Sequence, residues 1–391
     1  MTKAKLTAQA SPSTIIQKII ITQNKRGSQD IENWRNAIQA AESVTMPRRI
    51  LLYDLYEEIL VDGHLTAVIE KRKLSVTNTP VVFVEDGKEH DEITDLTTTE
   101  DFINLLHYII ESKLWGHSLI ELNFDGLKLQ PKLIPRKHVE PKKGIILKNQ
   151  FDQTGFSYRE YPYSDFVIEV GEENSLGLLM KAAQYAIYKR CGFGDWSQYA
   201  ELFGMPFRIA KYDGFDEKTR SELESSLQEA GSAAYVVIPK EADFEFVQNN
   251  AQASNTLYES LISLCNKEMS KLILGQTMTT EAGGALAQAK VHQEAERDLL
   301  MADKLFVRNV LNDKLIPLLQ KHGYNIGKGK FFFKEQENVD MKTRLEMDLK
   351  LAEKIQIDDK YFYETYNVPM PTEPLLPSPK GRNETEKQTL L

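Results

Sequence analysis

The chain contains little cysteine and no long apolar segment. Its two cysteines, Cys191 and Cys265, fit neither the spacing of a zinc site nor a disulfide framework, so a reducing compartment is expected. No run approaches the roughly 18 apolar residues that a membrane-spanning helix needs, and we predict no membrane association. The apolar segment at 14–21 is interrupted by Gln17 and Lys18 and is followed by no small-residue cleavage site, so no signal peptide is predicted.

The motifs of common enzyme classes are also missing. The segment Gly327-Lys328-Gly329-Lys330 has neither the spacing nor the Ser or Thr of a phosphate-binding P-loop. Neither the G-x-S-x-G motif of a nucleophile elbow nor the H-E-x-x-H motif of a zinc protease occurs. We therefore expect no catalytic residues, no cofactor and no metal, and hence a protein that is not an enzyme.

Basic charge is in deficit as well. The 391 residues carry a formal net charge of −9, whereas a free-standing DNA-binding protein usually has a basic surface. Tight binding of DNA by charge alone is therefore not expected. With 41% hydrophobic residues the chain can bury a sizeable core, and its length predicts two or three domains.

The longest helical pattern lies between residues 255 and 322 and is interrupted once. Apolar residues recur with helical period from Asn255 to Leu274, and Gly275 should end this helix. The pattern resumes over 285–322, which predicts a rod of about 55 Å that is kinked at Pro317. The polar segment between the two helices has loop composition. Its residues before the closing glycines are Gln276, Thr277, Met278, Thr279, Thr280, Glu281 and Ala282.

The rest of the chain predicts an α+β fold that is mainly helical. Asp125-Gly126 should form the turn of a β-hairpin, and Asp30 and Thr99 should cap the helices that follow them. Residues before 30 and after 369 are expected to be loosely held. Helices are predicted at 30–43, 47–74 with a break at 62–63, 99–114, 176–203, 216–230 and 341–355, and strands at 81–84, 118–124, 127–133, 145–147, 156–159, 166–170, 207–212, 234–238, 244–247 and 331–333.

The helix predicted at 176–203 has an alanine-rich face that would let another helix approach closely. Gly192 and Gly194 each disfavour the helix by about 1 kcal/mol relative to Ala, so we expect a bend there, with Asp195 restarting the helix. The segment 205–250 then predicts a small β-α-β-β unit. This unit is inserted between two long helices, whose ends must therefore lie near each other.

Several side chains leave two interpretations open. Lys181, Lys189 and Arg190 could meet phosphate groups or form a solvated helix face. His292 and Glu296 lie four residues apart and could bind a metal, although without a third ligand a solvated helix pair fits them better. The polar loop after Gly275 could be a plain connector or could contact a polymer weakly.

Four segments resemble the Mu-like bacteriophage portal family. They are KAAQYAIYKR at 181–190 with Asp195-Trp196, ELFGMPFR at 201–208, ILGQTMTTE at 273–281, and KVHQE at 290–294. The segment 115–121, followed by the hairpin and Leu133-Ile134-Pro135, resembles portal proteins more broadly. The resemblance covers roughly residues 30–375, and the block at 273–281 is its most specific part.

The resemblance implies an architecture as well as a function. It implies a flexible N-terminal arm at 1–29, a wing at 30–173, a first stem helix at 174–204, a clip at 205–250, a second stem helix at 251–274, a tunnel loop at 275–284, a long wing helix with a return strand at 285–340, a short C-terminal helical region at 341–368 and a tail at 369–391. It places Gln276, Thr277, Met278, Thr279, Thr280 and Glu281 in a DNA channel, Lys181, Lys189, Arg190 and Trp196 on the stem, and Phe207, Arg208, Lys211 and Tyr212 at a docking surface for terminase.

Portal proteins form ring oligomers, usually dodecamers, at one vertex of the phage capsid. The implied partners are further copies of the chain, the terminase large subunit, a head-tail connector, the major capsid protein with its scaffold, and double-stranded DNA that passes through without sequence preference. The implied location is the virion, after assembly in the cytoplasm of the bacterial host. An acidic channel would let the DNA slide, because each neutralised phosphate adds affinity.

Two other functions remain open from the residues themselves. One is a metal-dependent enzyme of nucleic-acid processing, with His292 and Glu296 on the long helix as its metal site. The other is a helical adaptor that never closes into a ring. Small alanines favour tight helix contacts but do not specify how many subunits share them.

Overall fold

The computed structural model describes residues 18, 20, 30–125, 128–203, 208–213, 216–229, 235–240, 251–277, 286–334 and 341–369. The chain divides into two units, Met1–Lys334 and Glu335–Leu391. The described part of the first unit contains ten helices, α1 to α10, and eleven strands, β1 to β11. The described part of the second contains two helices, α11 and α12. None of the described helices combines the length and apolarity required to cross a bilayer.

Helices and strands alternate irregularly along the chain, which gives an α+β fold. The helices are α1 (Ile31–Glu42), α2 (Ile50–Ile59), α3 (Gly63–Thr77), α4 (Asp91–Thr97), α5 (Glu100–Trp115), α6 (Gly177–Phe203), α7 (Glu217–Glu229), α8 (Ala251–Leu274), α9 (Leu286–Val310), α10 (Ile316–Lys321), α11 (Met341–Ala352) and α12 (Asp359–Thr365). The strands are β1 (Val81–Glu85), β2 (Lys88–Glu89), β3 (His117–Asp125), β4 (Lys128–Leu133), β5 (Val139–Glu140), β6 (Ile145–Leu147), β7 (Gly155–Ser157), β8 (Val167–Gly171), β9 (Arg208–Tyr212), β10 (Tyr235–Pro239) and β11 (Lys330–Phe333).

The predicted helix starts are confirmed by side-chain caps. Asp30 accepts a hydrogen bond of 2.8 Å from the backbone N–H of Asn33, and Thr99 accepts one of 3.2 Å from Phe102. These bonds satisfy amide groups that have no partner inside the helix. The hairpin is confirmed too, because β3 and β4 pair antiparallel with Asp125 opposite Lys128. Helix α4 and strands β2 and β5 were not predicted; all are short.

The strands form four small sheets. Three have the strand orders β11-β1-β2, β4-β3-β8 and β5-β6-β7, and every pairing in them is antiparallel. The fourth pairs β9 with β10 in parallel, with α7 as the crossover between them. This confirms the β-α-β part of the predicted inserted unit. The further strand predicted at 244–247 lies outside the described residues.

Three apolar cores hold the described part of the first unit together; the smallest contains Ile134, Ile146 and Tyr158, and two are larger. One lies among α5, α9, β3 and β11, and its fully buried side chains include Phe102, Leu105 and Phe331. The other lies among α1, α2, α3, α6 and α8, and includes Tyr56 and Leu179. Burying one such side chain contributes about 1.5–3 kcal/mol relative to leaving it exposed. Helices α6 and α8 are thus fixed on one core, and α9 is fixed on the other.

The long helix predicted over 285–322 is not a uniform α-helix. A π-helical turn at Leu311–Leu315 separates α9 from α10. Pro317 has no amide hydrogen to donate to the carbonyl of Asp313, four residues earlier. The backbone widens just before the proline, where the N–H of Ile316 bonds the carbonyl of Leu311. The interruption predicted at Pro317 therefore takes the form of a π-turn upstream of it.

Two described residues of the predicted N-terminal arm contact the folded unit. The Lys18 ammonium donates to the Tyr163 hydroxyl at 2.9 Å and lies 4.8 Å from the centre of that ring. The backbone N–H of Ile20 bonds the carbonyl of Lys148 at 2.9 Å. At these two positions the expectation of a loosely held arm is wrong, because polar and cation–π contacts fix them.

Candidate functional site

Helices α6 and α8 pack closely against each other. A Cβ atom at Gly192 would lie 3.0 Å from a terminal methyl of Leu261, which is tighter than an ordinary contact. Gly192 therefore serves close helix packing. The predicted restart at Asp195 is wrong, because α6 runs as one helix from Gly177 to Phe203 and Asp195 caps nothing. The cost of the two glycines is offset by burial of the first half of the helix, where Leu179, Ala182 and Ile187 are inaccessible or nearly so.

The predicted basic residues of α6 do not form one solvated face. Lys181 is exposed, but Lys189 is buried, with its ammonium 2.8 Å from the Asp62 carboxylate. Arg190 lies 2.7 Å from Glu58. Neither of the two interpretations left open for Lys189 fits, because its side chain is buried and its charge is paired with an acid of the same subunit. The pairs Lys189–Asp62 and Arg190–Glu58 fix α6 to the segment that joins α2 and α3.

Trp196, predicted on the first stem helix, is partly exposed on the same helix. Its ring centre lies 6.2 Å from that of Phe193, and 42% of Phe193 and 41% of Trp196 are accessible. Two aromatic side chains with this much accessible surface are a typical feature of contact surfaces rather than of a monomer's exterior. The structure thus brings Trp196 to a surface, whereas it removes Lys189 from one.

The loop after α8 begins with a buried anchor. Gly275 ends the helix with a positive φ of 73°. Gln276 is 2% exposed, and its amide donates to the Glu296 carboxylate of α9 at 2.8 Å. Lys71 of α3 lies 2.7 Å from the other oxygen of Glu296. The channel-facing prediction for Gln276 is therefore corrected, since this side chain points into the protein and holds the base of the loop.

The remaining loop residues can be placed only in part. Thr277 is half-buried, and Met278, Thr279, Thr280 and Glu281 lie outside the described residues. What the structure adds is the fixed starting point of the loop. A polar segment that leaves such an anchor starts from a defined position next to α9.

A buried ionic cluster lies beside this anchor and was missed at the level of sequence. Asp303 of α9 is 1% exposed and accepts two hydrogen bonds from Arg72, at 2.7 and 3.0 Å. Lys113 of α5 donates to Asp303 at 2.7 Å. Arg72 also donates to the carbonyl of Ile273, in the last turn of α8, at 2.8 Å. Three helices thus meet at one carboxylate, and Arg72 ties a fourth, α8, to them directly before the loop. We call Arg72, Lys113 and Asp303 the helix clamp.

One signal for the helix clamp was present in the sequence. Asp303 lies on the apolar stripe of α9, between Leu299 and Val307, where an acid would be buried and would need a cation. Nothing in the sequence identifies which cation that is. Arg72 is far away along the chain, and only folding brings it to Asp303.

A second ionic cluster joins β3 to β8. The Glu169 carboxylate accepts hydrogen bonds from His117, Tyr158 and Arg159 at 2.6–3.1 Å. Burial by itself raises the pKa of Glu169, but the three donors outweigh it and hold that pKa well below its usual range. Burial lowers the pKa of His117, and this effect exceeds the opposite effect of Glu169. The π-turn is tied to the same place, because Lys314 donates to the Glu169 carbonyl.

The predicted docking residues lie on β9. Arg208 begins the strand, Lys211 is exposed and Tyr212 is half-buried, whereas Phe207 lies outside the described residues. Within the described part of this unit, α7 carries no buried residue. A small two-stranded sheet with one polar helix leaves most of its surface open to a partner.

The metal-site alternative receives no support from Glu296. Its two carboxylate oxygens are already bound by Lys71 and Gln276. The side chain of His292 lies outside the described residues, and the described residues contain no cluster of three or more metal-ligating side chains. Among the described residues, the contacts of Glu296 position the loop.

Known proteins match this chain over a region that includes these segments. The family model described as "Portal protein of Mu bacteriophage" matches residues 53–368. The portal protein of Escherichia phage Mu is 25% identical over 293 residues, which cover 69% of this chain and 56% of that protein. The Mu-like prophage FluMu protein gp29 of Haemophilus influenzae is 26% identical over 215 residues, which cover 52% of this chain and 41% of that protein. The chain thus spans about half the length of these curated relatives.

A solved structure is similar as well. It is an HK97-family phage portal protein from Corynebacterium diphtheriae, with a TM-score of 0.41 and 12% identity. The superposition covers 77% of this chain and 98% of that one. The family assignment rests on the sequence match, which extends over most of the chain and includes both paired helices, the loop and α9. The chain belongs to the portal protein family of Mu-like bacteriophages.

Proposed function

We propose that this chain is a phage portal protein, the subunit of a ring at one capsid vertex through which DNA is packaged and ejected. In this proposal α6 and α8 form the stem, the unit at 205–250 forms the clip, and the segment 275–284 forms the tunnel loop. The part before α6, together with α9, α10 and β11, forms the wing. The ring would be a dodecamer, located in the virion after assembly in the host cytoplasm.

The observation that carries the proposal is apolar surface on the paired helices. Leu257 and Leu264 of α8 lie two turns apart on one face, and 69% and 55% of them are accessible. Phe193 and Trp196 add aromatic surface on α6. A monomer gains nothing by exposing this surface, whereas a neighbouring subunit would bury it and so supply hydrophobic stabilisation. The adaptor alternative would leave these faces to a different protein.

The proposed partners are those that membership of the portal family implies. The terminase large subunit and the head-tail connector would dock on the clip, which includes the exposed Lys211, while the major capsid protein and its scaffold would contact the wing. Double-stranded DNA would pass the tunnel loop without sequence-specific contacts, and the net charge of −9 would keep it from binding tightly. The portal itself would catalyse no reaction. Hydrolysis of ATP by purified rings alone would contradict this part of the proposal.

Electron microscopy of the purified protein, with sedimentation as a mass check, tests the ring directly. We expect closed rings of about a dozen subunits with an open centre. Leu257→Glu combined with Leu264→Glu should leave folded, unassembled subunits, because two charges would be buried at each contact. The matched control is Phe151→Glu, an exposed aromatic residue on another surface, which should still form rings.

A chain that stays monomeric even when it is produced together with its capsid and scaffold proteins would overturn the proposal. Rings formed equally well by both variants would instead show that the α8 face is not the subunit contact. The loop is tested separately by replacing Thr277 to Thr280 with alanine. These rings should assemble and package DNA poorly, and normal packaging would remove the loop from the mechanism.

A further inference from the structure

The first unit carries an open groove that the proposed function does not use. It has a volume of about 460 Å³ and lies between the C-terminal part of α9, the π-turn and the loop that leads into β11. This loop is the Gly327-Lys328-Gly329-Lys330 segment that fails as a P-loop. A groove of this size is large enough for a small ligand or for part of a polymer.

The glycine-lysine loop is held rigidly in the wall of the groove. A Cβ atom at Gly327 would overlap the Glu85 carboxylate, and one at Gly329 would overlap the Phe83 ring. The backbone N–H of Lys328 donates to Glu85 at 3.0 Å, and Gln320 donates to the Gly327 carbonyl at 3.1 Å. Gly329 is required by contact, because a Cβ there would also lie 2.9 Å from the Val84 carbonyl oxygen, and the bonds to Glu85 and Gln320 hold the backbone that carries Lys328 before any ligand binds.

Three cations line the groove. Arg308, Lys328 and Lys330 make no hydrogen bond or ion pair through their side chains with any residue that the structure describes. The acid among the lining residues is Asp313. Among the lining residues the cations outnumber the acids by two, on a chain whose net charge is −9. The groove is therefore suited to a ligand with several negative charges.

The geometry disfavours an acidic peptide as that ligand. A peptide could add to β11, which is an edge strand of its sheet. However, Asn312 of the π-turn already bonds both the N–H and the carbonyl of Phe331, at 2.8 and 3.2 Å. The outward backbone groups at this point of the edge are thus occupied. What remains accessible is the set of long cationic side chains, with the partly exposed Phe332 beside them.

We propose that Arg308, Lys328 and Lys330 bind backbone phosphates of double-stranded DNA at a contact separate from the tunnel loop. The inference rests on the proposed portal function, which brings DNA to the ring. Arg308 follows Glu296, which accepts the hydrogen bond from the buried loop residue Gln276, by twelve residues, and this corresponds to about 18 Å along α9. The groove and the loop anchor therefore lie at different levels of the same helix.

Binding of a labelled 20-base-pair duplex to the full-length protein tests the proposal. Fluorescence anisotropy is measured over a series of salt concentrations. The groove variant combines Arg308→Gln, Lys328→Gln and Lys330→Gln. The control combines Lys128→Gln, Lys132→Gln and Lys148→Gln, three exposed lysines elsewhere in the same unit, and therefore loses the same number of charges. Electron microscopy compares ring assembly by the unchanged protein, the groove variant and the control.

The groove variant should bind the duplex more weakly, and the slope of log affinity against log salt should fall by about 2.7, because each phosphate contact contributes about 0.9. The control should retain most of the slope. Equal slopes for the two variants would overturn the proposal. The assignment of DNA as the ligand would be overturned in favour of an acidic protein if a 20-residue polyglutamate bound the wild-type protein more tightly than the duplex did and no longer bound the groove variant. Failure of the chain to form rings would contradict the proposed portal function and not the groove proposal, since the groove lies within one subunit.

Discussion

The helix clamp allows a sharp test of how the loop is positioned. Asp303 is nearly inaccessible and is bound by both Arg72 and Lys113. The change Asp303→Asn keeps the shape of the side chain and removes its charge. Arg72 and Lys113 are then left beside an uncharged amide, and Arg72 is almost fully buried. Loss of one member of a buried pair costs about 3–5 kcal/mol, so we expect a decrease of that order in the free energy of unfolding.

A double-mutant cycle separates the pair from its surroundings. Arg72→Met alone should also be strongly destabilising, because it leaves Asp303 with Lys113 only and the Ile273 carbonyl without its donor. The double variant Arg72→Met with Asp303→Asn should lose much less than the sum of the two single changes, since no buried charge of this pair remains uncompensated. The difference should be a few kcal/mol, as is typical of contacting residues in one ionic network.

Urea denaturation at a fixed protein concentration gives the required free energies. Glu268→Gln is the control. It breaks the pair with Lys271 on the surface of α8, where 30% and 57% of the two side chains are accessible, and should cost at most about 1 kcal/mol. The reasoning is refuted if Asp303→Asn is no more destabilising than this control, or if the two clamp changes are additive.

Three further outcomes are expected. The free energy of unfolding should fall as the pH drops below about 6.5, because burial lowers the folded-state pKa of His117 and the unfolded chain takes up the proton first. It should fall further below about 4.5, where Glu169 is protonated in the unfolded chain but still ionised in the folded one. Urea titrations between pH 7.5 and 4 measure this, and a flat profile would contradict it. Gly194→Ala should stabilise the protein by up to about 1 kcal/mol, since open space surrounds that position, whereas Gly192→Val should destabilise it by about 1–3 kcal/mol through overpacking against α8. Urea titrations at neutral pH measure both effects. Equal effects of the two substitutions would count against close packing of α6 on α8. A thiol reagent should modify the exposed Cys191 quickly in unassembled subunits, while the second, buried cysteine reacts slowly because burial raises its pKa; two thiols that react equally fast would contradict the structure.

Local structure was predictable wherever neighbouring residues decide it. The caps at Asp30 and Thr99 and the pairing of Asp125 with Lys128 each depend on a few consecutive residues, and all three were found where the pattern placed them. The β-α-β unit was predictable for a related reason, because a crossover helix between two short strands has few ways to pack. The family match also agrees with the resemblance carried by the segments at 181–190 and 273–281.

The errors share one physical cause, which is packing between distant segments. Gly192 suggests a bend when α6 is considered alone, but its contact with Leu261 makes it a position of close helix approach. Lys189 and Gln276 are polar and were expected at a surface. Both are buried because Asp62 and Glu296, which are remote in sequence, satisfy their hydrogen bonds.

The sequence by itself determined most of the helices and strands, the position of the inserted unit, the lack of catalytic motifs and the family. These properties follow from local periodicity, from turn and cap residues, and from composition. The tertiary structure decided the pairing of β1 with β11, the helix clamp around Asp303 and the cationic groove. Each of these requires side chains from segments far apart in the chain, and the identity of such partners is settled only when hydrophobic burial brings the segments together.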